Sequence, residues 1–158
     1  MPRQMTPAQA AIVAAARGCV GARFQLHGRQ VATGLDCVGV AALAYGRDHV
    51  PAGYALRGGD VMTIKAAIEV AGFVRTGVPC PADLLLLAPG PYQHHLAILT
   101  DRGFVHADAG LRRVVETPGF PSWQLIGAFS PSPSGEGLGW GASRSAAFVA
   151  RPHPRPLP

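Results

Sequence analysis

The sequence predicts an α+β domain with N-terminal helices packed on a five-stranded antiparallel sheet. Two patterns carry that reading: helical signals come first, and short apolar runs separated by turn residues fill residues 83–129. A third observation is bulk composition. A chain of 158 residues, 48% apolar and 15% charged, is long enough for one well-filled core and too apolar to be disordered throughout.

The first helix is expected from about Pro7 to Arg17, ending at Gly18. Thr6-Pro7-Ala8-Gln9 reads as a capping box with proline at the first helical position. Residues 10–16 are apolar, and Gly18-Cys19 faintly resembles a lipoprotein cleavage site. Arg17 beside that site, with Pro7 and Gln9 interrupting a short segment, favours a mature helix over a signal peptide. No apolar run is long enough to span a membrane. Residues 21–34 read as loop, punctuated by Gly21, Gly28 and Gly34. A second helix then runs from Cys37 to about Tyr45, with Gly34 and Asp36 supplying the turn and N-cap and Gly46 the stop. Residues 46–59 read as loop. The third helix starts after Asp60 and ends near Gly72, with Val61, Ile64, Ile68 and Ala71 on one face.

Asp83–Leu87 is a continuous apolar run, as a central strand requires. His95–Thr100 and Gly103–Ala107 flank Asp101-Arg102 as a hairpin, and Arg113–Glu116 and Gln124–Phe129 complete five strands. From Ser130 the chain turns to Ser-Pro-Ser-Pro-Ser-Gly-Glu-Gly and closes on Arg-Pro-His-Pro-Arg-Pro-Leu-Pro. Such composition does not offset the entropy of ordering. The domain is therefore placed at 1–129 and a disordered tail at 130–158, in which Trp140 and Phe148 offer a docking segment as the alternative.

The formal charge is +5. Arg144, Arg151 and Arg155 against Glu136 put +2 of it in the tail, leaving about +3 on residues 1–129. That bias favours an anionic polymer such as cell wall. Without a Lys/Arg cluster or stacking aromatics, nucleic acid is not an expected partner. Cys19, Cys37 and Cys80 lack Cys-x-x-Cys spacing, so neither a disulfide framework nor a structural zinc site is implied. Cys19 and Cys80 read as small buried hydrophobes.

Cys37 differs because it opens a helix. Unpaired N–H groups and the positive dipole end favour a thiolate there and can hold an oxyanion formed beside the sulfur. In the hairpin, His95, Ala97 and Leu99 share one face and His94 the other. With the turn at Asp101-Arg102, residue 97 lies opposite 106, so His95 and His106 are diagonal neighbours on one face, close enough to share a hydrogen bond. Asp108 falls on that face too. A base must take the thiol proton and later return one to a leaving amine, and a third group must orient that base. His95 suits the first role and His106 the second. His94, His49 and His153 carry no such assignment, and His27 stays undecided. Packing alone is the competing explanation for an isolated cysteine and two strand histidines.

Gly34-Leu-Asp-Cys-Val-Gly-Val resembles the Asp-Cys-Ser-Gly-Leu signature of the NlpC-type cell-wall cysteine peptidases. His95-Leu-Ala-Ile-Leu and Gly103-Phe-Val-His106-Ala resemble that family's His-Val-Gly-Ile strand and the Ile-His-Ala strand after it. The resemblance covers residues 7–129. It implies a papain-like fold, Cys37 as nucleophile, His95 as base and His106 as orienting residue, with no cofactor and no metal. It further implies hydrolysis of amide bonds in peptidoglycan stem peptides. Phe24-Gln-Leu-His-Gly and His-Ala-Asp-Ala-Gly-Leu-Arg-Arg-Val-Val look most like the branch found in phage tails and gene transfer agents. The expected setting is thus a chain made in the cytoplasm without a signal peptide, partnered by tail proteins and acting at the wall within a tail-like particle.

Two departures stand out. Against the family's Tyr-x-Trp-Gly-Gly, this chain has Phe24, Leu26, His27 and Gly28, so a framing tyrosine hydroxyl is missing and His27 is the substitute at hand. Val38 replaces the serine after the cysteine. Phe24, His27, Asp36 and Asp108 are the residues expected to support substrate or oxyanion. Three other functions compete with hydrolysis: a non-catalytic tail-assembly or wall-binding module on the same fold, a thiol acyltransferase, and a Cys/His metal site that lacks a fourth ligand.

Overall fold

In the computed structural model the described residues are 4–46 and 59–132. His49, most of the 46–59 loop and the tail beyond Ser132 lie outside them.

Helix α1 (Pro7–Arg17) begins with the expected capping box. The Gln9 N–H donates to Thr6 Oγ1 at 3.1 Å, and the Thr6 N–H donates to Gln9 Oε1 at 2.8 Å. Ile12, Val13 and Ala16 form its buried face. The segment read as loop carries a small ribbon, β1 (Arg29–Gln30) paired antiparallel with β2 (Gly34–Leu35). Helix α2 (Cys37–Tyr45) is buried on nearly every side and stops at Gly46, which adopts φ +70°. Helix α3 (Val61–Val70) is capped by Asp60 and buries Ile64 and Ile68.

The strands are β3 (Phe73–Thr76), β4 (Leu84–Ala88), β5 (His95–Leu99), β6 (Gly103–Asp108), β7 (Arg113–Pro118) and β8 (Gln124–Pro131). They form one antiparallel sheet in the order β3-β8-β4-β5-β6-β7. The sheet therefore has six strands where five were expected. The extra one, β3, comes straight after α3 and pairs with β8 through Phe73↔Pro131 and Val74↔Ser130. That pairing carries β8 through Ser130 and Pro131, past the boundary placed at 129.

Strand β4 is internal, as its unbroken apolar run requires. Leu84 and Leu86 join the core beneath the helices, while Leu85 and Leu87 pack with Ala97, Leu99, Phe104, Ala128 and Trp123 on the other face. Burying each leucine contributes about 2 kcal/mol. At the other end of the hairpin, Arg17 donates through Nε and Nη2 to Glu116 and through Nη2 to Asp101 at 2.7 Å. Thr100 Oγ1 donates to the same Glu116 carboxylate at 2.7 Å. These bonds tie the end of α1 to the β5–β6 turn and to β7.

Gly39 shows why the second helix needs a glycine one turn in. A Cβ there would collide with the carbonyl oxygen of Gly28, so the 21–34 segment sits directly against the first turn of α2. Gly39→Ala is expected to destabilise the fold by about 2 kcal/mol through that overpacking, measured by denaturant melts. An unchanged midpoint would mean that the segment moves aside without cost.

Candidate active site

Asp36 builds the start of α2. Its Oδ1 accepts from the Gly39 N–H at 2.8 Å and from Arg29 Nη1 at 2.9 Å, and its Oδ2 accepts from the His27 N–H at 2.7 Å. One buried carboxylate thus caps the helix and pins the preceding loop onto it. Gly39 N–H goes to this cap, and Val40 N–H to the Asp36 carbonyl at 3.0 Å. The first-turn amides left over are those of Cys37 and Val38. Both lower the Cys37 thiol.

A third amide, from the sheet, also favours the thiolate. Leu99 N–H donates to Asp83 O at 3.0 Å, so odd-numbered residues of β5 direct their amides to β4 and even-numbered ones to β6. The β5–β6 register runs Leu99↔Phe104 and Ile98↔Val105 and goes no further. Leu96 N–H, aimed at β6 by the alternation, favours the Cys37 thiolate and lowers the thiol. Helix α2 packs against both β5 and β6.

His95 and His106 meet on the face of the hairpin away from the helical core. Their Nε2 and Nδ1 atoms lie 2.8 Å apart, and the rings stand edge to face at 85°. The register is the one that a turn at Asp101-Arg102 predicts. His106 is 2% exposed. Burial, then the charge of His106, pushes His95 down to about 4, against the opposing pull of Asp108. Burial also lowers His106, again opposed by Asp108. Both rings are neutral at pH 7.

The thiol is neutral as well. Burial pushes Cys37 up to about 12, with a further rise from the Asp36 charge, and the three amides lower it only in part. The helix-start amides expected to favour a thiolate are in place, but desolvation outweighs them. At pH 7 the thiolate fraction is on the order of 10⁻⁵. Iodoacetamide labelling of Cys37, followed by peptide mass spectrometry, is therefore expected to accelerate about tenfold per pH unit from 7 to 10. A plateau beginning below pH 9 would contradict this.

Of the four residues expected to support substrate or oxyanion, Asp36 is committed to the cap and to Arg29, so it positions Cys37. His27 has an exposed side chain and a backbone at φ +61°, and its N–H serves Asp36. Phe24 is half-buried against the main core, and its backbone bridges to Leu35. Asp108 Oδ1 accepts from the Leu111 N–H at 3.0 Å in the β6–β7 turn and acts on the histidines through its charge. Cys19 is buried as expected, but Cys80 is only half-buried, where its sulfur accepts from Gln9 Nε2 at 3.5 Å. Among the described residues, no three His, Cys, Asp or Glu side chains converge as metal ligands.

Two participants were not legible in advance. Arg29 pairs with Asp36, and only an oppositely charged residue in the glycine-punctuated loop hinted at it. Trp123 stands edge-on to both imidazoles, 5.7 Å from His95 and 5.5 Å from His106 between ring centroids.

No family model matches this chain, and no curated protein matches it. Among solved structures, the crystal structure of the NlpC/p60 domain of the peptidoglycan hydrolase SagA is similar to it. That likeness has 26% sequence identity and a TM-score of 0.47, over 70% of this chain and 88% of the other.

Proposed function

We propose that this chain is a thiol hydrolase with a papain-like site that cleaves amide bonds in peptidoglycan stem peptides. The observation that carries the reading is the 2.8 Å contact between the two imidazoles, made at the residue next to Leu96, whose amide favours the Cys37 thiolate. With the shared proton on His95 Nε2, the Nδ1 of His95 is left to accept a proton from the thiol. His106 fixes that tautomer.

The steps follow. The Cys37 thiol gives its proton to His95 Nδ1 as the sulfur attacks the amide carbonyl carbon, and the carbonyl electrons move onto oxygen. The Cys37 and Val38 amides supply positive dipoles beside that oxygen. Collapse expels the amine, which takes the proton from His95, and leaves a thioester. Water then gives a proton to His95 and attacks the thioester, releasing the acid and restoring the thiol. Because the thiol and the imidazole rest neutral, proton transfer and attack are coupled in one step.

The stem-peptide substrate rests on the resemblance of the Gly-Leu-Asp-Cys-Val-Gly-Val, His-Leu-Ala-Ile-Leu and Phe-Val-His-Ala stretches to the NlpC-type peptidases. Delivery to the wall within a phage-type or gene-transfer-agent tail rests on the Phe-Gln-Leu-His-Gly and His-Ala-Asp-Ala-Gly-Leu-Arg-Arg-Val-Val stretches. A non-catalytic wall-binding or tail-assembly module is favoured by one observation, the buried and protonated thiol. Mass spectrometry of the protein incubated with diaminopimelate-type stem peptides separates the two. Fragments appearing with time support the hydrolase, and their masses name the bond. Saturable binding of wall fragments without cleavage, unaffected by thiol alkylation, would establish the module.

A further inference from the structure

Trp123 has a placement that the steps above do not use. Pro121, two residues before it, is buried, and Trp123 enters β8 half-buried against Phe104 and the apolar far face of the sheet. Its ring meets His95 at an interplanar angle of 88° and His106 at 76°, with Phe104 at a centroid distance of 6.3 Å. Phe104 in turn lies tilted at 36° over His106, 5.0 Å away. The His95–His106 contact is thus flanked by aromatic carbon. Edge-to-face packing of this kind favours one ring orientation over others and keeps water off what it covers.

We propose that Trp123 is a positioning residue: its indole seals the proton shared by His95 and His106 from solvent and holds both imidazoles at their observed angles. Three physical arguments support this. The His95–His106 hydrogen bond is part-buried, and a hydrogen bond between neutral rings is stronger where water cannot compete for either nitrogen. A ring free to flip about its χ2 would lose the 2.8 Å contact, and an indole wedged against both rings blocks that rotation. Trp123 also lies in the β7–β8 connection, just before β8 and outside both histidine strands, so that connection is coupled to the orientation of the base. The titratable groups acting on His95 from neighbouring elements are His106 and Asp108 on β6. Residues 119–123 bring none, so the segment acts by exclusion and not by charge.

As a role in catalysis this rests on the thiol-hydrolase reading. As a statement about the imidazole pair it does not, and the test separates the two. In proton NMR of the unsubstituted protein, the shared imidazole N–H is expected as a slowly exchanging downfield signal with Overhauser contacts to the Trp123 ring. Absence of those contacts would overturn the proposal without any substitution being made. Trp123→Ala is expected to bring that proton into fast exchange and to raise the titration midpoint of His95 by at least about one pH unit, while Trp123→Phe preserves both. An unchanged signal and midpoint in a folded Trp123→Ala protein would also overturn it. Where turnover is measurable, kcat is expected to fall about tenfold in Trp123→Ala with KM within about twofold, since the substitution loosens the base and not substrate binding. If the unsubstituted protein cleaves nothing, the hydrolase reading fails while the NMR result still decides the role of Trp123.

Discussion

Replacing Cys37 by alanine is expected to lower stem-peptide cleavage by at least about 10⁴-fold while leaving the fold intact. The size of the loss follows from the chemistry. Without sulfur there is no thioester path, and His95 and the helix-start amides can only assist direct attack by water. The intact fold follows from the packing. Cys37 is 6% exposed in a close-packed core, and removing one sulfur atom leaves a small cavity worth about 1 kcal/mol. Its Asp36 cap, which orders the first turn of α2, does not involve the side chain that is lost. Cleavage rates by quantitative mass spectrometry, with a denaturant melt of the same preparation, check both halves. Equal cleavage by the variant would remove Cys37 from the chemistry. Cys37→Ser refines the result: it keeps an oxygen nucleophile that is far harder to deprotonate, so residual activity near the alanine level is expected.

Much of this site was legible because its signals are local. Thr6 with Gln9, Asp36 before Cys37 and Asp60 before Val61 each mark a helix start through hydrogen bonds spanning only three residues, and all three form. The diagonal relation of His95 and His106 follows from a two-residue turn and the period of a strand, and the register obeys it. What escaped depends on partners remote in sequence. Phe73–Thr76 is four residues long with no clear alternation, and it becomes a strand because β8, more than fifty residues later, lies beside it. Trp123 reaches the histidines through the pairing of β8 with β4 and of β4 with β5. The state of the thiol escaped for the same reason. A helix start can be read from Gly-Leu-Asp-Cys, but the desolvation that overrides it comes from burial in a core built by residues far along the chain.

The pH response is the second large effect, and it has opposite consequences for rate and for stability. Under the proposed mechanism the base is neutral His95, so the acid limb of kcat/KM reports its ionisation in the free protein. With that group lowered to about 4 by burial and by His106, activity is expected to hold near its plateau down to about pH 5, well below the fall near 6.5 of an ordinary histidine base. Stability moves the other way. A histidine whose folded value lies below its unfolded one contributes stability that is present above the unfolded value and lost as pH falls through the folded value. Between pH 6.5 and about 4 the unfolded chain binds a proton that the folded chain refuses, and the cost reaches about 3 kcal/mol at the lower end. Cys37 acts at the alkaline end. Raised from 9.0 to about 12, it contributes stability below pH 9 that drains away as pH climbs towards 12. Urea melts at pH 7 and pH 4.5, beside initial rates at the same values, test the pair of statements together. A rate that falls near pH 6.5 while stability stays flat would mean that the imidazole pair is open to water, and it would remove the physical basis for a neutral thiol–imidazole resting state. Retained rates with a lowered urea midpoint at pH 4.5 would instead place the cost of a dry, neutral base in the folding free energy.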